Sequence, residues 1–196
     1  MRLVAITPEE AFSGEAQAIE KVLEAGFYSV HLRMPHATVE QARAVMEDIS
    51  PKWHSRIMLA SHYELNGEFN FGGAHLKQGM SIKPEWESLP KSRSYHYGDS
   101  LDDITRYDYA FISPVFDSIS KQGYQSAFSA QMLSEMLKSN ADAHQRLVAL
   151  GGISAKQLPQ VAAMGFTGAA MLGYLWSEPD TLGQRLNEIN DYIKTL

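Results

Sequence analysis

Four of the seven histidines stand where short apolar runs end. They lie in Ser29-Val-His31-Leu-Arg33, Ser61-His62, His75-Leu-Lys77 and Ser94-Tyr-His96. Imidazole changes charge near neutral pH, so such a set could move protons or grip an anion. Any one of these rings could equally hydrogen-bond a loop carbonyl. His36, His54 and His144 fall in loop or helix-end segments and read as solvated. Imidazoles also suit zinc. No carboxylate is placed to orient these rings, so neither a metal nor a cofactor is expected. The chain has no cysteine, which excludes disulfides, thiolate catalysis and cysteine–zinc sites.

A second set of residues suits an anion. Ala149-Leu-Gly151-Gly152-Ile-Ser154 joins an apolar run to a capped helical pattern, and Met171-Leu-Gly173 ends the next run. Paired glycines let the backbone approach a ligand, and a helix start offers free N–H groups. The same pair is also ordinary turn chemistry. The polar stretch from Ser113 to Gly123 carries Ser118, Ser120 and Lys121. Those groups could hold a phosphate or close over a ligand, or they could be a plain solvated loop.

Short β-branched or apolar runs alternate with helical patterns along the chain. Strands are predicted at Leu3–Ile6, Tyr28–Leu32, Arg56–Ala60, Gly73–Leu76, Arg93–His96, Tyr109–Ser113, Leu147–Leu150 and Gly168–Leu172. Helices are predicted at Glu15–Glu24, after the capping box Thr38–Gln41, near Ser100, at Ser129–Lys138, after the capping box Ser154–Gln157, and from near Asp180 onward. Strands separated by helices imply parallel pairing with right-handed crossovers. Eight units in 196 residues average about 24 each, compact for a (β/α)8 TIM barrel of typically ~250 residues. The connections after the third and fourth strands are short for full helices, and an open doubly wound sheet is the alternative. In a barrel, the strand ends named above would share one mouth. Alternation turns Ser29, His31 and Arg33 to one face and Val30 and Leu32 to the other.

Apolar residues make up 44% of the chain and charged residues 20%, with a net charge of −6. That composition argues for one globular domain over residues 1–196 and against disorder. No Lys/Arg cluster suggests nucleic acid. No apolar run suggests a membrane span. A cytoplasmic location is expected by absence of an address. Homodimerisation is open; Trp53, Trp86 and Trp176 are expected in core or rim packing.

The ordered motifs resemble the thiamine phosphate synthase/TenI superfamily along nearly the whole chain. Leu3-Val-Ala-Ile-Thr7 resembles its opening strand. Glu24-Ala-Gly-Phe-Tyr-Ser-Val-His-Leu-Arg33 is similar to "GVDLVQLREK", and Gly72-Gly-Ala-His-Leu-Lys-Gln78 to "DGVHLGQ". Ser94-Tyr-His96 resembles "STH", and Ser113-Pro-Val-Phe-Asp-Ser-Ile-Ser-Lys121 resembles "GPVFPTxTK". Val148-Ala-Leu-Gly-Gly-Ile153 resembles "VVAIGGI", and Gly168-Ala-Ala-Met-Leu-Gly173 takes the place of "GVAVVSA".

The resemblance implies a TIM barrel that binds a thiazole phosphate. It implies that Ser118, Ser120, Lys121, Gly151, Gly152 and Gly173 hold the phosphate, and that Arg33 and Ser94 contact substrate. The departures point toward the TenI branch. Where the synthases carry Gln, Arg and Lys for the pyrimidine pyrophosphate, this chain has His31, Arg33 and Pro35. Where they carry acids for magnesium, it reads Ala60-Ser61-His62-Tyr63 and Lys77-Gln78-Gly79-Met80. Magnesium would be needed only for a synthase. The expectation is a thiazole tautomerase with His96 as acid/base, assisted by His31 or His62. Thiamine phosphate synthase and a non-catalytic phosphate-binding regulator are the alternatives.

Overall fold

The computed structural model describes residues 1–117 and 128–194. Eight strands form a closed barrel in chain order. They are β1 (Arg2–Ile6), β2 (Ser29–Leu32), β3 (Ile57–Leu59), β4 (Gly73–Leu76), β5 (Lys91–Tyr95), β6 (Tyr109–Ile112), β7 (Leu147–Leu150) and β8 (Gly168–Met171). Every neighbouring pair is parallel. Val4 registers with Ala170, so β8 returns to β1 and the open-sheet alternative falls.

The helices are α1 (Glu15–Glu24), α2 (Val39–Asp48), α3 (Ala130–Ser139), α4 (Ala141–Arg146), α5 (Leu158–Ala163), α6 (Gly173–Trp176) and α7 (Leu182–Ile193). Thr38 starts α2 as expected: its hydroxyl accepts from the Gln41 amide at 3.3 Å, and Gln41 Oε1 accepts from the Thr38 amide at 2.8 Å. The helix expected near Ser100 does not form. Only a 3-10 turn at Ile104–Arg106 stands there. Asp103 is drawn onto the outer side of β5, taking Arg93 at 2.7 Å and the Tyr95 hydroxyl at 2.6 Å. The connections after β3 and β4 also contain single 3-10 turns, at Tyr63–Leu65 and Pro84–Trp86.

Strand alternation sorts the core into layers. Inside the barrel, Val4, Ile6, Met58, Tyr109, Phe111, Val148 and Ala170 pack together. Outside, the helices bury Ile19, Val22, Leu133, Leu137, Val161 and Ile189 against the strands. Behind β4 a separate cluster gathers Ala74, Leu76 and Tyr107 around Trp86, which is 1% exposed. Burying a side chain of that kind contributes roughly 2–3 kcal/mol before strain and entropy are counted. The Trp176 indole donates to the Ile6 carbonyl at 2.7 Å, tying α6 to the end of β1. Trp86 and Trp176 are therefore core residues, as expected.

Candidate active site at the barrel mouth

A cavity of about 580 Å³ opens at the carboxyl ends of the strands, the end where barrel enzymes place their chemistry. Its floor is aromatic and imidazole-rich. Ser29, His31 and Arg33 share one face of β2 and its extension, as alternation predicts. His31 is 1% exposed, and its Nε2 lies 2.5 Å from the Tyr109 hydroxyl. Tyr109 Oη is also 3.3 Å from Ser29 Oγ. His75 packs edge to face on His31, with ring centroids 5.1 Å apart. Both rings rest on Phe111, at 4.9 Å and 5.3 Å between centroids.

Neighbouring hydroxyls hold His75 in place. Its Nδ1 is 3.0 Å from Ser92 Oγ and its Nε2 is 3.3 Å from Ser94 Oγ. Burial holds both imidazoles in the neutral form. It lowers His31 well below the usual range, with His75 adding a smaller push. It lowers His75 to about 4, helped by the positive charges of Arg33 and Arg93. Neutral imidazoles keep one donor and one acceptor nitrogen each, so this floor can exchange protons without holding a net charge.

The rim near β2 and β4 is charged. Arg33 Nη1 meets Glu9 Oε1 at 2.7 Å, and Glu9 Oε2 lies 3.3 Å from His36 Nε2. The Arg33 amide donates to Thr7 Oγ1 at 2.8 Å, and the Thr7 hydroxyl donates back to the Arg33 carbonyl at 3.3 Å. That pair of bonds fixes the ends of β1 and β2 together. Lys77 also lines the cavity. His96 stands on the rim after β5, exposed, its Nδ1 3.2 Å from the Ser113 carbonyl oxygen.

Across the mouth lie Gly151, Gly152 and Gly173. The backbone N–H groups of Gly152, Ile153 and Gly173 donate to no acceptor among the described residues. Three unpaired donors lining a cavity suit an anion. The glycines have a packing cause as well. Gly151 and Gly152 have φ of +97° and +65°. A Cβ on Gly151 would lie 2.8 Å from Pro114 Cα, and one on Gly152 would lie 2.2 Å from the Asp117 carbonyl oxygen. The following helix is also weaker than the sequence implied. A 3-10 turn at Ala155–Gln157 precedes the six-residue α5. The anion-holding capacity at Gly152 and Ile153 therefore rests on loop N–H groups, and Gly173 adds the first N–H of the short α6.

The structure thus gathers His31, Arg33, Ser94, His96, Gly151, Gly152 and Gly173 around one cavity. Ser118, Ser120 and Lys121 lie outside the described residues. His62 is elsewhere. It adopts left-handed backbone at φ 50°, its Nε2 lies 2.7 Å from the Met34 carbonyl oxygen, and it does not line the cavity. The turn after β3 holds that ring on the Met34 carbonyl, apart from the cavity lining that its expected assisting role would need. His54 is not solvated as expected: it is 7% exposed, with Nε2 2.9 Å from the Ile49 carbonyl oxygen. Sequence reasoning missed Glu9, Tyr109 and Phe111. The parity of β6 pointed to the two aromatics, since they share a face with Ser113. Glu9 carried no such signal.

Magnesium, which the family resemblance attaches to the synthases, does not suit this donor set. Magnesium takes carboxylate and water oxygens in an octahedron. The matching positions hold Ala60, Ser61, Lys77 and Gln78. Glu9 is the one carboxylate lining the cavity among the described residues, and it is engaged with Arg33. No group of three or more His, Asp or Glu among the described residues is placed to hold a metal.

The fold and mouth define a small (β/α)8 barrel with a polar pocket at the carboxyl ends of its strands. The chain belongs to the thiamine monophosphate synthase (TMP-TENI) family, whose model it matches over residues 3–175. It is 24% identical over 188 residues to the thiamine-phosphate synthase of Bacteroides fragilis, covering 89% of this chain and 91% of that one. It superposes on the crystal structure of thiamine phosphate pyrophosphorylase from Bacteroides thetaiotaomicron with a TM-score of 0.82. That pair shares 27% identity, covering 99% of this chain and 98% of the other. The pyrophosphorylase of Pyrococcus furiosus, at 17% identity and a TM-score of 0.78 over 99% and 96% of the chains, shares the fold. These matches place the chain among the enzymes of thiamine biosynthesis. No helix among the described residues is long and apolar enough to cross a membrane.

Proposed function

We propose that the chain forms thiamine phosphate from a thiazole phosphate and a hydroxymethylpyrimidine pyrophosphate. The names of its relatives favour this reading over the TenI-type tautomerase that the sequence motifs suggested. The structural observation that carries it is a mouth with two anion-holding ends. The free N–H groups of Gly152, Ile153 and Gly173 would take the thiazole phosphate. Arg33 and Lys77 would take the diphosphate on the opposite side. In the reaction the thiazole nitrogen bonds to the pyrimidine methylene as the methylene–oxygen bond breaks and diphosphate leaves. The chain's part is to bring the two rings together over Phe111 and to balance the leaving charge with its own cations.

A second reading has its own support: three imidazoles line the cavity and no acid stands at the metal positions. That set suits proton transfer on a thiazole carboxylate phosphate, with His96 as the accessible acid/base. The deciding experiment supplies both half-molecules, with magnesium or with EDTA, and follows thiamine phosphate by chromatography. Product formation supports the synthase reading. Absence of product, with deuterium exchange into the thiazole carboxylate phosphate, supports the tautomerase. Binding without either reaction supports a regulator.

A further inference from the structure

Arg33 reaches the mouth already engaged. Its guanidinium meets Glu9 at 2.7 Å, and the other Glu9 oxygen lies 3.3 Å from His36. The two partners differ in how they are held. Arg33 leaves β2 from a backbone bonded both ways to Thr7. Glu9 follows Pro8 in a bend of the β1–α1 connection. Both side chains are 40% exposed, and ion pairs in that setting are weak enough for a ligand to displace.

We propose that Glu9 is a specificity-determining residue: it occupies Arg33 as an internal anion that an incoming anionic group must displace. This inference rests on the synthase reading, in which that group is a diphosphate. A singly charged carboxylate gains little by replacing one carboxylate with another. A diphosphate carries more charge and more acceptor oxygens, so it wins the exchange. Lys77 adds a second cation on the same rim. With no cluster of carboxylates placed for a divalent ion among the described residues, the grip is made by cationic side chains, and Glu9 sets its threshold. The displaced carboxylate keeps the His36 ring within hydrogen-bond reach.

The test is calorimetric titration of inorganic pyrophosphate, in EDTA, into the wild-type protein, Glu9→Gln, Arg33→Met and the double variant. Glu9→Gln should tighten binding roughly threefold to tenfold. In the Arg33→Met background the same change should shift affinity less than about twofold. Equal tightening in both backgrounds overturns the proposal, because Glu9 would then act as a distant charge. So does an unchanged affinity in Glu9→Gln, or pyrophosphate binding that requires magnesium. Glu9→Ala, run in parallel with melting curves for all variants, removes the same carboxylate should the amide disturb the loop. Thiamine phosphate formation is measured separately. A protein that shows the Glu9 effect but forms no product overturns the synthase reading alone.

Discussion

The rings of His31 and His75 meet edge to face at 5.1 Å, with no carboxylate between them among the described residues. Both are held neutral, so folding excludes protons that the unfolded chain would bind. Stability from this pair is fully present above the ordinary histidine value of 6.5 and falls as pH drops toward about 4. The slope should approach about 1.4 kcal/mol per pH unit for each histidine. Thermal melts from pH 7 to pH 4 measure it. A His31→Gln/His75→Gln variant should show a flatter profile; an equally steep one would reject the assignment.

Glu15 gives the opposite sign. It is 3% exposed, and neither carboxyl oxygen has a hydrogen-bond partner among the described residues. Burial pushes its carboxyl up to about 7, against a smaller opposite pull from the Phe12 backbone. The unfolded chain releases that proton near 4.5, so this group costs stability as pH rises from 4.5 to 7. Glu15→Gln should raise stability by about 1 kcal/mol at pH 8 and change little at pH 4. Urea titrations at the two pH values decide it.

Gly152→Ala should fail locally. Its φ is +65°, and the added methyl would meet the Asp117 carbonyl oxygen. A cost of roughly 2 kcal/mol or more is expected, read as a lower denaturation midpoint. Affinity for thiazole phosphate should fall with it, since the same backbone carries a free N–H.

Tyr109→Phe removes the hydroxyl that joins Ser29 and His31. The site is buried, so loss of about 1–2 kcal/mol is expected. The ring contacts with Phe111 and His31 remain, and the barrel should stay folded. Retained stability would show that the two partners satisfy each other.

On the tautomerase reading, His96→Ala should abolish proton exchange into the thiazole carboxylate phosphate while phosphate affinity changes less than about twofold. Unchanged exchange would remove His96 from that role.

Much of the mouth was legible because strand parity is a local rule. Once Ser29, His31 and Arg33 shared a face, their convergence followed from the barrel. His75 and Ser94 followed in the same way, whereas His62 did not, because a left-handed residue breaks the alternation that the rule needs. The segment near Ser100 misled for a different reason. Asp103 there accepts from Arg93 and Tyr95 instead of capping a helix, and those partners are fixed by β5 and not by the local pattern. Glu9 was invisible because its partner lies 24 positions away, and only closure of the barrel brings them together. The place of this chain within its family was half legible. Missing acids could be counted, but the motifs leaned toward the tautomerase branch while the relatives' names lean toward the synthase.

The single-turn connections after β3, β4 and β5 divide the molecule unequally. The wall that carries His75 and Lys77 is backed by the Trp86 cluster, whereas helices follow the glycine turns after β7 and β8. A ligand would therefore meet walls followed by helices on one side and walls followed by single 3-10 turns on the other. On the second side a side chain such as His75 or Lys77 can be exchanged without unseating a helix in the connection that follows its strand.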